Sequence, residues 1–507
     1  MENQKNNDDK SIPSGVFNGL VSDVLWSSSK KASDISQEDR KYLRDHALKK
    51  PLRLLDIWAL GVGAVITGEY FGWNLALKDN TPIAVLIATL IVCLLYLVFV
   101  PVLAELSVAM PFAGGPQGFG RRTFGPLMGF IMGWSMYLEC QFATIATALA
   151  TGGYVAFLVN PEAPSPMVQL LAGLGTVAAF LGLHLTGVKQ QSKAMVFMTY
   201  GAIVGLFLFW GLAATHFSWD RIITRPLLPT EKGWGSVLDA IPYCLWWLVI
   251  IETIALAAEE TENPKRSIPR GLVLAQITLI GLVGPTWLFA CGALDNSQAL
   301  VFESNGDDVS YPLAKVIRDI PIGQNLFVVY GFGIIALFGM VASYHGMVYG
   351  TSRQLFALSR AGYLPTILGT VHPSKRTPNA ALLFSSIITA FFLVGSLWFS
   401  KEINVAVLIS TLTALIWYLL AMVCLYVLRK RESELFSRYR APLGVLLPLM
   451  VVLLSGLAAW VYSGIDVKIL PITGSLYLMA IGFYFVWSRR RLQTGAPENL
   501  SARLDDH

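Results

Sequence analysis

The sequence predicts an all-α integral membrane protein with twelve transmembrane helices. Hydrophobic residues make up 54% of the 507-residue chain, whereas charged residues make up only 14%. Long apolar stretches recur from about Leu54 to Trp487, and each is close to the roughly 20 residues that a helix needs to cross a bilayer. We predict spans at residues 54–76, 82–110, 124–159, 167–187, 194–214, 236–258, 269–293, 323–358, 379–399, 402–428, 444–463 and 468–487.

The positions of the basic residues predict the orientation of these spans. If the N-terminus is cytoplasmic, every inside loop carries lysine or arginine, as at Arg121 and Arg122. The largest outside loop, between Asp295 and Ile320, is rich in acids. This is the positive-inside pattern, with both termini in the cytoplasm. It accounts for the net charge of +5 without a nucleic-acid partner.

The first span carries a carboxyl group that lipid would not accommodate. Glu69 lies in the run GVGAVITGEYFGWN, whose glycines at positions 61, 63, 68 and 72 weaken a helix. A charged side chain at mid-membrane costs about 2.5–3.5 kcal/mol on insertion scales, so such residues usually face a cavity and carry a function. A broken membrane helix with an acid favours transport of a positively charged solute.

Span six also carries an acid within an apolar segment. Glu252 lies well inside span six, within the apolar run from Ile241 to Glu260. Broken helices at corresponding positions of two halves are typical of secondary transporters built from inverted repeats. We therefore predict a five-plus-five inverted repeat with broken helices one and six, followed by two extra helices. The domain covers residues 51–488, with repeats at about 51–214 and 236–428, extra helices at about 444–487, and cytoplasmic tails at 1–50 and 489–507.

Several segments resemble a known superfamily. Ala257–Gly271 (AAEETENPKRSIPRG) and Thr351–Ala380 (TSRQLFALSRAGYLPTILGTVHPSKRTPNA) resemble the ends of spans six and eight in amino acid–polyamine–organocation permeases. The resemblance extends from about Arg44 to Arg491 and implies a LeuT-like fold and secondary transport. The strings ITGEYFGWN, PFAGGPQGFGRRTFGP and ASYHG are similar to bacterial ethanolamine permeases. That similarity implies a small amine as substrate and a bacterial cytoplasmic membrane as location.

The resemblance places the substrate at the break in span one. In amino-acid carriers, backbone N–H groups there bind the substrate carboxylate, and the matching segment here is Thr67, Gly68, Glu69 and Tyr70. A carboxylate at Glu69 would repel a substrate carboxylate, since like charges ~4 Å apart cost on the order of 1 kcal/mol even in water. It would attract an ammonium group, which favours ethanolamine over a zwitterionic amino acid. The alternative is a structural Glu69 paired with a base or a helix N-terminus.

Four further residues complete the expected binding site. Trp246 matches an aromatic residue that closes over the substrate, and it could cover an ammonium group by a cation–π contact worth about 0.5–2 kcal/mol. The resemblance gives Glu252 a role in gating or proton sensing. Glu139 in span three would contact substrate or carry a proton, and His345 in span eight would titrate or donate to a substrate hydroxyl. For each residue, a structural contact within the helix bundle is the alternative.

Three acids around one cation leave excess negative charge, so at least one is expected to be protonated in some state. We therefore expect proton coupling, with Glu139 and Glu252 as coupling residues. Lys265 and Arg266 are expected to anchor the cytoplasmic end or to help fix an inner gate. Span five lacks the lysine that some proton-coupled relatives use, so sodium coupling and exchange remain open alternatives.

Other classes of function receive little support from the sequence. The five cysteines have no metal-ligand spacing, and no nucleophile with an adjacent base can be assembled. We expect no enzyme activity, no cofactor and no metal. The expected partners are a small amine, a coupling ion and membrane lipid. The alternatives are an amino-acid or polyamine carrier of the same architecture and a membrane sensor that binds an amine without moving it.

Overall fold

The computed structural model consists of helices joined by mostly short loops. It describes Val24 and residues 35–224, 226–303, 306, 308–397, 402–465 and 468–503, so most of the expected N-terminal tail lies outside the described residues. Up to residue 214 the helices are α1 (Gln37–Asp45), α2 (Leu54–Val65), α3 (Thr67–Tyr70), α4 (Pro82–Ala109), α5 (Pro116–Phe124), α6 (Pro126–Val159), α7 (Pro166–His184) and α8 (Val188–Ala214). They continue with α9 (Gly235–Cys244), α10 (Thr253–Leu256), α11 (Pro264–Ala293), α12 (Pro312–Asp319), α13 (Leu326–Arg360), α14 (Asn379–Gly395), α15 (Glu402–Arg431), α16 (Leu446–Ile465), α17 (Ile469–Val486) and α18 (Pro497–Arg503).

Ten helical segments in the described part of the chain are long and apolar enough to cross a membrane. They match predicted spans one to five, seven, eight and ten to twelve, and they are Leu54–Lys78, Pro82–Ala109, Pro126–Val159, Pro166–His184, Val188–Ala214, Pro264–Ala293, Leu326–Arg360, Ile403–Arg431, Leu446–Ile465 and Ile469–Arg490. The all-helical membrane fold is thus confirmed. The other two predicted spans differ in form, because residues 236–258 are divided between α9 and α10 and α14 has only 17 residues.

Proline marks the start of many of these helices. Helices α4, α6, α7 and α11 begin with proline, which has a suitable φ and lacks an N–H that the first turn would leave unpaired. Thr81 also caps α4, because its hydroxyl oxygen accepts a hydrogen bond from the N–H of Ala84 at 3.3 Å. Gly125 joins α5 to α6 at φ +89°, a conformation that favours glycine. These local signals position span three, which lies against α13 and α15.

Span one is interrupted twice, first at Ile66 between α2 and α3 and again at Phe71. Thr67–Glu69 was expected to be unwound, but it forms the separate helical turn α3, in which the N–H of Phe71 donates to the carbonyl of Thr67 at 2.8 Å. The backbone becomes extended at Phe71 and turns at Gly72, where φ is +104°. A 3-10 helix, Trp73–Lys78, completes the span. A single glycine is tolerated in a helix at a cost of about 1 kcal/mol, whereas the positive φ of Gly72 ends it.

Span six is broken as predicted. Helix α9 ends at Cys244 and continues as a 3-10 turn, Leu245–Trp247. Ile250 then adopts φ +78°, which is unusual for a β-branched residue. The chain becomes helical again only at α10. Spans one and six, which carry Glu69 and Glu252, are therefore both interrupted.

The described parts of both tails pack at the same end of the bundle, which we call the tail face. The hydroxyl of Tyr42 in α1 donates to the carbonyl oxygen of Arg360 at 2.5 Å. Glu498 in α18 accepts a hydrogen bond from the guanidinium of the same arginine at 2.8 Å. Helix α13 runs from Leu326 to Arg360, so Leu326 and the preceding α12 lie at the opposite end, which we call the loop face.

Candidate functional site

The two breaks pack directly against each other. A Cβ on Gly68 would overlap the carbonyl oxygen of Trp246 and approach the backbone of Trp247. A Cβ on Gly72 would overlap the indole ring of Trp246. The rings of Trp73 and Trp247 stack nearby, with centroids 4.8 Å apart. Span one can approach span six this closely only because Gly68 and Gly72 have no side chain.

Thr67 is held by α13 and does not offer a free N–H. Its backbone N–H donates to the hydroxyl oxygen of Ser343 at 2.7 Å, and that hydroxyl donates to the carbonyl of Gly63 at 2.8 Å. The Thr67 hydroxyl donates to the carbonyl of Gly339 at 3.3 Å. Ser343 was not predicted as a functional residue, although it lies within the string ASYHG. The Ser343 hydroxyl stands between the Thr67 N–H and the Gly63 carbonyl, which would bond to each other directly in an unbroken helix.

Tyr70 is also engaged with its neighbours. Its hydroxyl donates to the carbonyl of Ala202 in α8 at 2.6 Å, and its own carbonyl accepts from the Tyr154 hydroxyl at 2.9 Å. Its ring occupies the space left by Gly339 and Gly205. Tyr70 therefore anchors α3 to spans three, five and eight.

Glu69 is fully buried, and neither carboxyl oxygen has a hydrogen-bond partner among the described residues. It extends from the side of α3 opposite Thr67, and its polar neighbours are Thr286 on α11 and Cys93 on α4. The Thr286 hydroxyl already donates to the carbonyl of Leu282 at 2.8 Å. An ionised carboxyl group buried without a partner is costly. Glu69 can therefore accept a cation or a proton.

Glu139 and Glu252 form a separate pair, which Glu69 does not join. Both are buried, and their side chains interact with each other. Consecutive residues of α15 hold the two acids: the Trp417 indole donates to Glu139 Oε2 at 2.6 Å, and the Tyr418 hydroxyl donates to Glu252 Oε1. The three acids predicted to surround one cation thus fall into two groups.

Trp246 lies where an aromatic lid was expected, against the break in span one. Its side chain is buried, and its indole N–H finds no acceptor within the described part of the chain. Buried tryptophan usually has a hydrogen-bond partner. The free N–H next to Gly72 therefore leaves one donor available at the junction of the two breaks.

His345 lies in a different environment from the acids. Its Nε2 is 3.0 Å from the carbonyl oxygen of Gln191 in α8, and its ring lies 4.4 Å from that of His184 in α7. The structure groups it with these residues and not with the two breaks. This placement matches the structural alternative, in which the histidine packs between helices.

Two buried ion pairs close the tail face. Arg353 binds Glu260 through two nitrogens, at 2.9 and 3.1 Å, and lies over the ring of Tyr349 at 4.1 Å. Arg360 binds Glu259 in the same way, at 2.6 and 2.8 Å. Two-point arginine–carboxylate pairs are among the strongest charged contacts in proteins.

Two other cations, Lys265 and Arg266, were expected to anchor the cytoplasmic end or to help fix an inner gate. Lys265 and Arg266 lie in the first turn of α11, where Arg266 is exposed and Lys265 is half-buried. The pairing acids Glu259 and Glu260 were present in the string AAEETENP, and both arginines in TSRQLFALSRAG. Their pairing could not be read from either string, because the partners are about one hundred residues apart.

A cavity of about 290 Å³ opens at the loop face and reaches the break in span one. Phe71 and Leu75 form part of its wall, together with Leu149 of α6. The polar side chains of the lining are Gln169, Asp308, Ser310, Ser396 and Asn404, and the other lining residues are apolar. The cavity thus reaches the break in span one from the loop face, whereas buried ion pairs lie at the tail face.

The sequence profile of the amino acid permease family matches residues 52–486. This chain belongs to that family, within the amino acid–polyamine–organocation superfamily. Family and relatives are permeases or transporters, so the permease is not an enzyme. Membership also explains the interrupted spans, because such carriers place small amino-acid-like substrates between them.

Several curated relatives of this permease have a stated substrate. A branched-chain amino acid permease of Bacillus subtilis is 27% identical over 467 residues, which are 88% of this chain and 94% of the relative. A methylthioribose transporter of the same organism is 26% identical over 471 residues, 88% and 95% of the two chains. A gamma-aminobutyric acid permease of Escherichia coli is 26% identical over 364 residues, 67% and 72% of the two chains. The substrates differ among relatives at this level of identity.

Proposed function

We propose that this permease imports ethanolamine, or a similar small organic cation, by proton-coupled alternating access. The observation that carries the proposal is Glu69, a buried carboxyl group without a partner beside the break in span one. An ammonium group there would restore charge balance, whereas a substrate carboxylate would be repelled. Trp246 lies on the same break and offers an aromatic face and a free N–H.

Alternating access is supported by the difference between the two ends of the bundle. The loop face has the cavity that reaches Phe71, whereas Arg353–Glu260 and Arg360–Glu259 close the tail face. We propose that the tail face is cytoplasmic in a bacterial inner membrane. In this arrangement the twelve spans form two inverted repeats of five, and spans eleven and twelve are additional.

An amino-acid or polyamine carrier is the second candidate, and the relatives favour it. Two of those reported above are named for branched-chain amino acids and for gamma-aminobutyric acid. A zwitterion would have to keep its carboxylate away from Glu69. The identity of the transported solute therefore distinguishes the two candidate functions.

Counterflow into liposomes would test the proposal. Liposomes carrying the purified permease are loaded with unlabelled ethanolamine, leucine, gamma-aminobutyric acid or putrescine, and uptake of labelled ethanolamine is measured. We expect ethanolamine to drive the largest counterflow. Glu69→Gln should lower the affinity for ethanolamine by about 100-fold or more, because a buried cation loses its counter-charge. Glu162→Gln is the matched control, since Glu162 is exposed.

Two results would reject the amine assignment. One is the absence of labelled-ethanolamine counterflow from a permease that exchanges labelled leucine with internal leucine. The other is an unchanged ethanolamine affinity in Glu69→Gln. Binding of ethanolamine without any counterflow would indicate a sensor.

A further inference from the structure

We propose that Glu139 and Glu252 hold a single proton between them, and that Trp417 and Tyr418 position this shared site. We further propose that the shared proton is the one coupled to amine transport, a step that rests on the proposed function. The proton site is then separate from the substrate carboxyl group, Glu69.

The hydrogen-bond pattern requires a proton. Consecutive residues of α15 hold Glu139 and Glu252 next to each other, yet an ionised carboxylate can only accept. One oxygen of each acid is taken by a donor from α15, and the other two, Glu139 Oε1 and Glu252 Oε2, find no donor among the described residues. A proton between these two oxygens satisfies both.

The surroundings supply no positive charge that could replace this proton. In the part of the chain that the structure describes, neither acid forms an ion pair. The titratable groups around them are neutral side chains: Tyr418 on α15, Tyr96 on α4, Cys140 on α6 and Tyr477 on α17, with Tyr462 on α16 next to Tyr96. Two buried like charges without a counter-charge cannot both ionise cheaply.

The pair is connected to the break in span six. Glu252 follows the left-handed residue Ile250 by two positions. Trp246, on the other side of the same break, contacts Gly72 of span one. Loss of the proton would put repulsion between span three and span six at the point where span six bends. The protonation state can therefore bias the two arrangements of the breaks.

Proton movement during transport tests the coupling. Liposomes contain the permease and a trapped pH-sensitive dye, and ethanolamine is added outside. In the wild type, ethanolamine influx should carry protons inward. Expressed per ethanolamine molecule taken up, the proton movement should be lost in Glu139→Gln and in Glu252→Gln. Proton movement that persists in either variant would overturn the inference.

Thermal unfolding of the purified protein tests the shared proton without reference to transport. At high pH the wild type should lose the proton and become less stable, whereas either glutamine variant should not, because its amide donates the same hydrogen bond permanently. An identical pH dependence in wild type and variants would reject the pair. If the wild type shows no ethanolamine counterflow, the proposed function fails, and this measurement still decides whether the proton is shared.

Tyr418→Phe tests the positioning role without removing an acid. The phenylalanine keeps the ring stacked on Phe99, with centroids 4.0 Å apart, but loses the donor to Glu252. Because a hydrogen bond to a charged group favours the ionised form, its loss should move the midpoint of the uptake pH profile upward by about one pH unit. Tyr462→Phe, which loses only the bond to Thr411, is the control and should leave the midpoint unchanged. Equal midpoints in Tyr418→Phe and the wild type would contradict this role.

Discussion

At the scale of single side chains, some buried polar groups of this permease have hydrogen-bond partners and others have none. Ser343 is fully used, since it accepts from Thr67 and donates to Gly63. Glu69 and the indole N–H of Trp246 are buried beside the same break with no partner among the described residues. Because most buried polar groups in proteins are paired, these two unpaired groups beside one break support the substrate position proposed above.

Gly68 is predicted to be essential to the contact between the two breaks. Gly68→Ala would force a methyl group against the carbonyl of Trp246 and the backbone of Trp247, which cannot move aside as a flexible side chain could. We expect a loss of about 1–3 kcal/mol in the free energy of unfolding and strongly reduced uptake. Thermal unfolding and counterflow measure both effects.

The control for this substitution is Gly281→Ala in α11. A Cβ on Gly281 meets nothing within 4 Å, so alanine there should be neutral or slightly stabilising. An equally small effect of Gly68→Ala would show that spans one and six are not held at this distance.

The sequence drew attention to the acidic residues but not to their partners. Glu69, Glu139 and Glu252 were recognised because a charge in an apolar span is rare. Trp417 and Tyr418 were missed, since tryptophan and tyrosine in a membrane helix carry no such signal. Their contact with the acids joins α15 to α6 and α10, and this depends on tertiary packing that no local pattern shows.

At the scale of helices, α18 packs against the helix bundle, although this segment was expected to be only a short cytoplasmic tail. Residues 489–507 were predicted only as a cytoplasmic tail, yet Glu498 is buried and shares Arg360 with Glu259. Asn499 accepts a hydrogen bond from Arg121 at 2.9 Å. The tail segment therefore reinforces the ion pair that closes the tail face.

Glu498→Ala is expected to loosen this end of the bundle. Arg360 would keep Glu259 but lose its second carboxylate, at a cost of about 1–3 kcal/mol. We expect a lower unfolding temperature and faster proteolysis within residues 489–503. Glu434→Ala is the control, because Glu434 is exposed. If both variants are cut at the wild-type rate, α18 does not depend on Arg360.

Span boundaries were predicted more accurately than breaks. Span two was expected at 82–110 and is α4, Pro82–Ala109, since apolar length and an initial proline fix both ends. The break in span one was placed at Thr67–Glu69 because of its glycines, whereas the helix is interrupted briefly at Ile66 and then by a larger break at Phe71. Its position depends on the packing of Gly72 against Trp246, a contact between residues 174 positions apart.

The molecule as a whole is held by different charge clusters at its two ends. At the loop face, Glu303 accepts from Lys315 at 3.0 Å and from Arg318 at 2.8 Å. Burial alone would raise the pKa of Glu303, but these two hydrogen bonds outweigh it and hold the pKa below its ordinary value. A lowered pKa in the folded state means that the carboxylate stabilises the fold above the unfolded pKa of about 4.3.

This cluster predicts how stability depends on pH. The contribution of Glu303 should be present at neutral pH and be lost as the pH falls below about 4.3. Glu303→Gln should lower the free energy of unfolding at pH 7 by about 1–3 kcal/mol and weaken its acid dependence. Thermal unfolding between pH 3 and pH 7 measures this, with the exposed Glu231→Gln as control. Parallel curves for Glu303→Gln and the wild type would contradict the assignment.

The separation of Glu69 from the Glu139–Glu252 pair has an electrical consequence. A continuous row of carboxyl groups from one side of a membrane to the other would conduct protons without any solute. Here the acids stand in two groups, and neutralised arginine pairs block the far end. Under the proposed proton coupling, protons then cross the membrane only when the helices rearrange, which is the difference between a carrier and a leak.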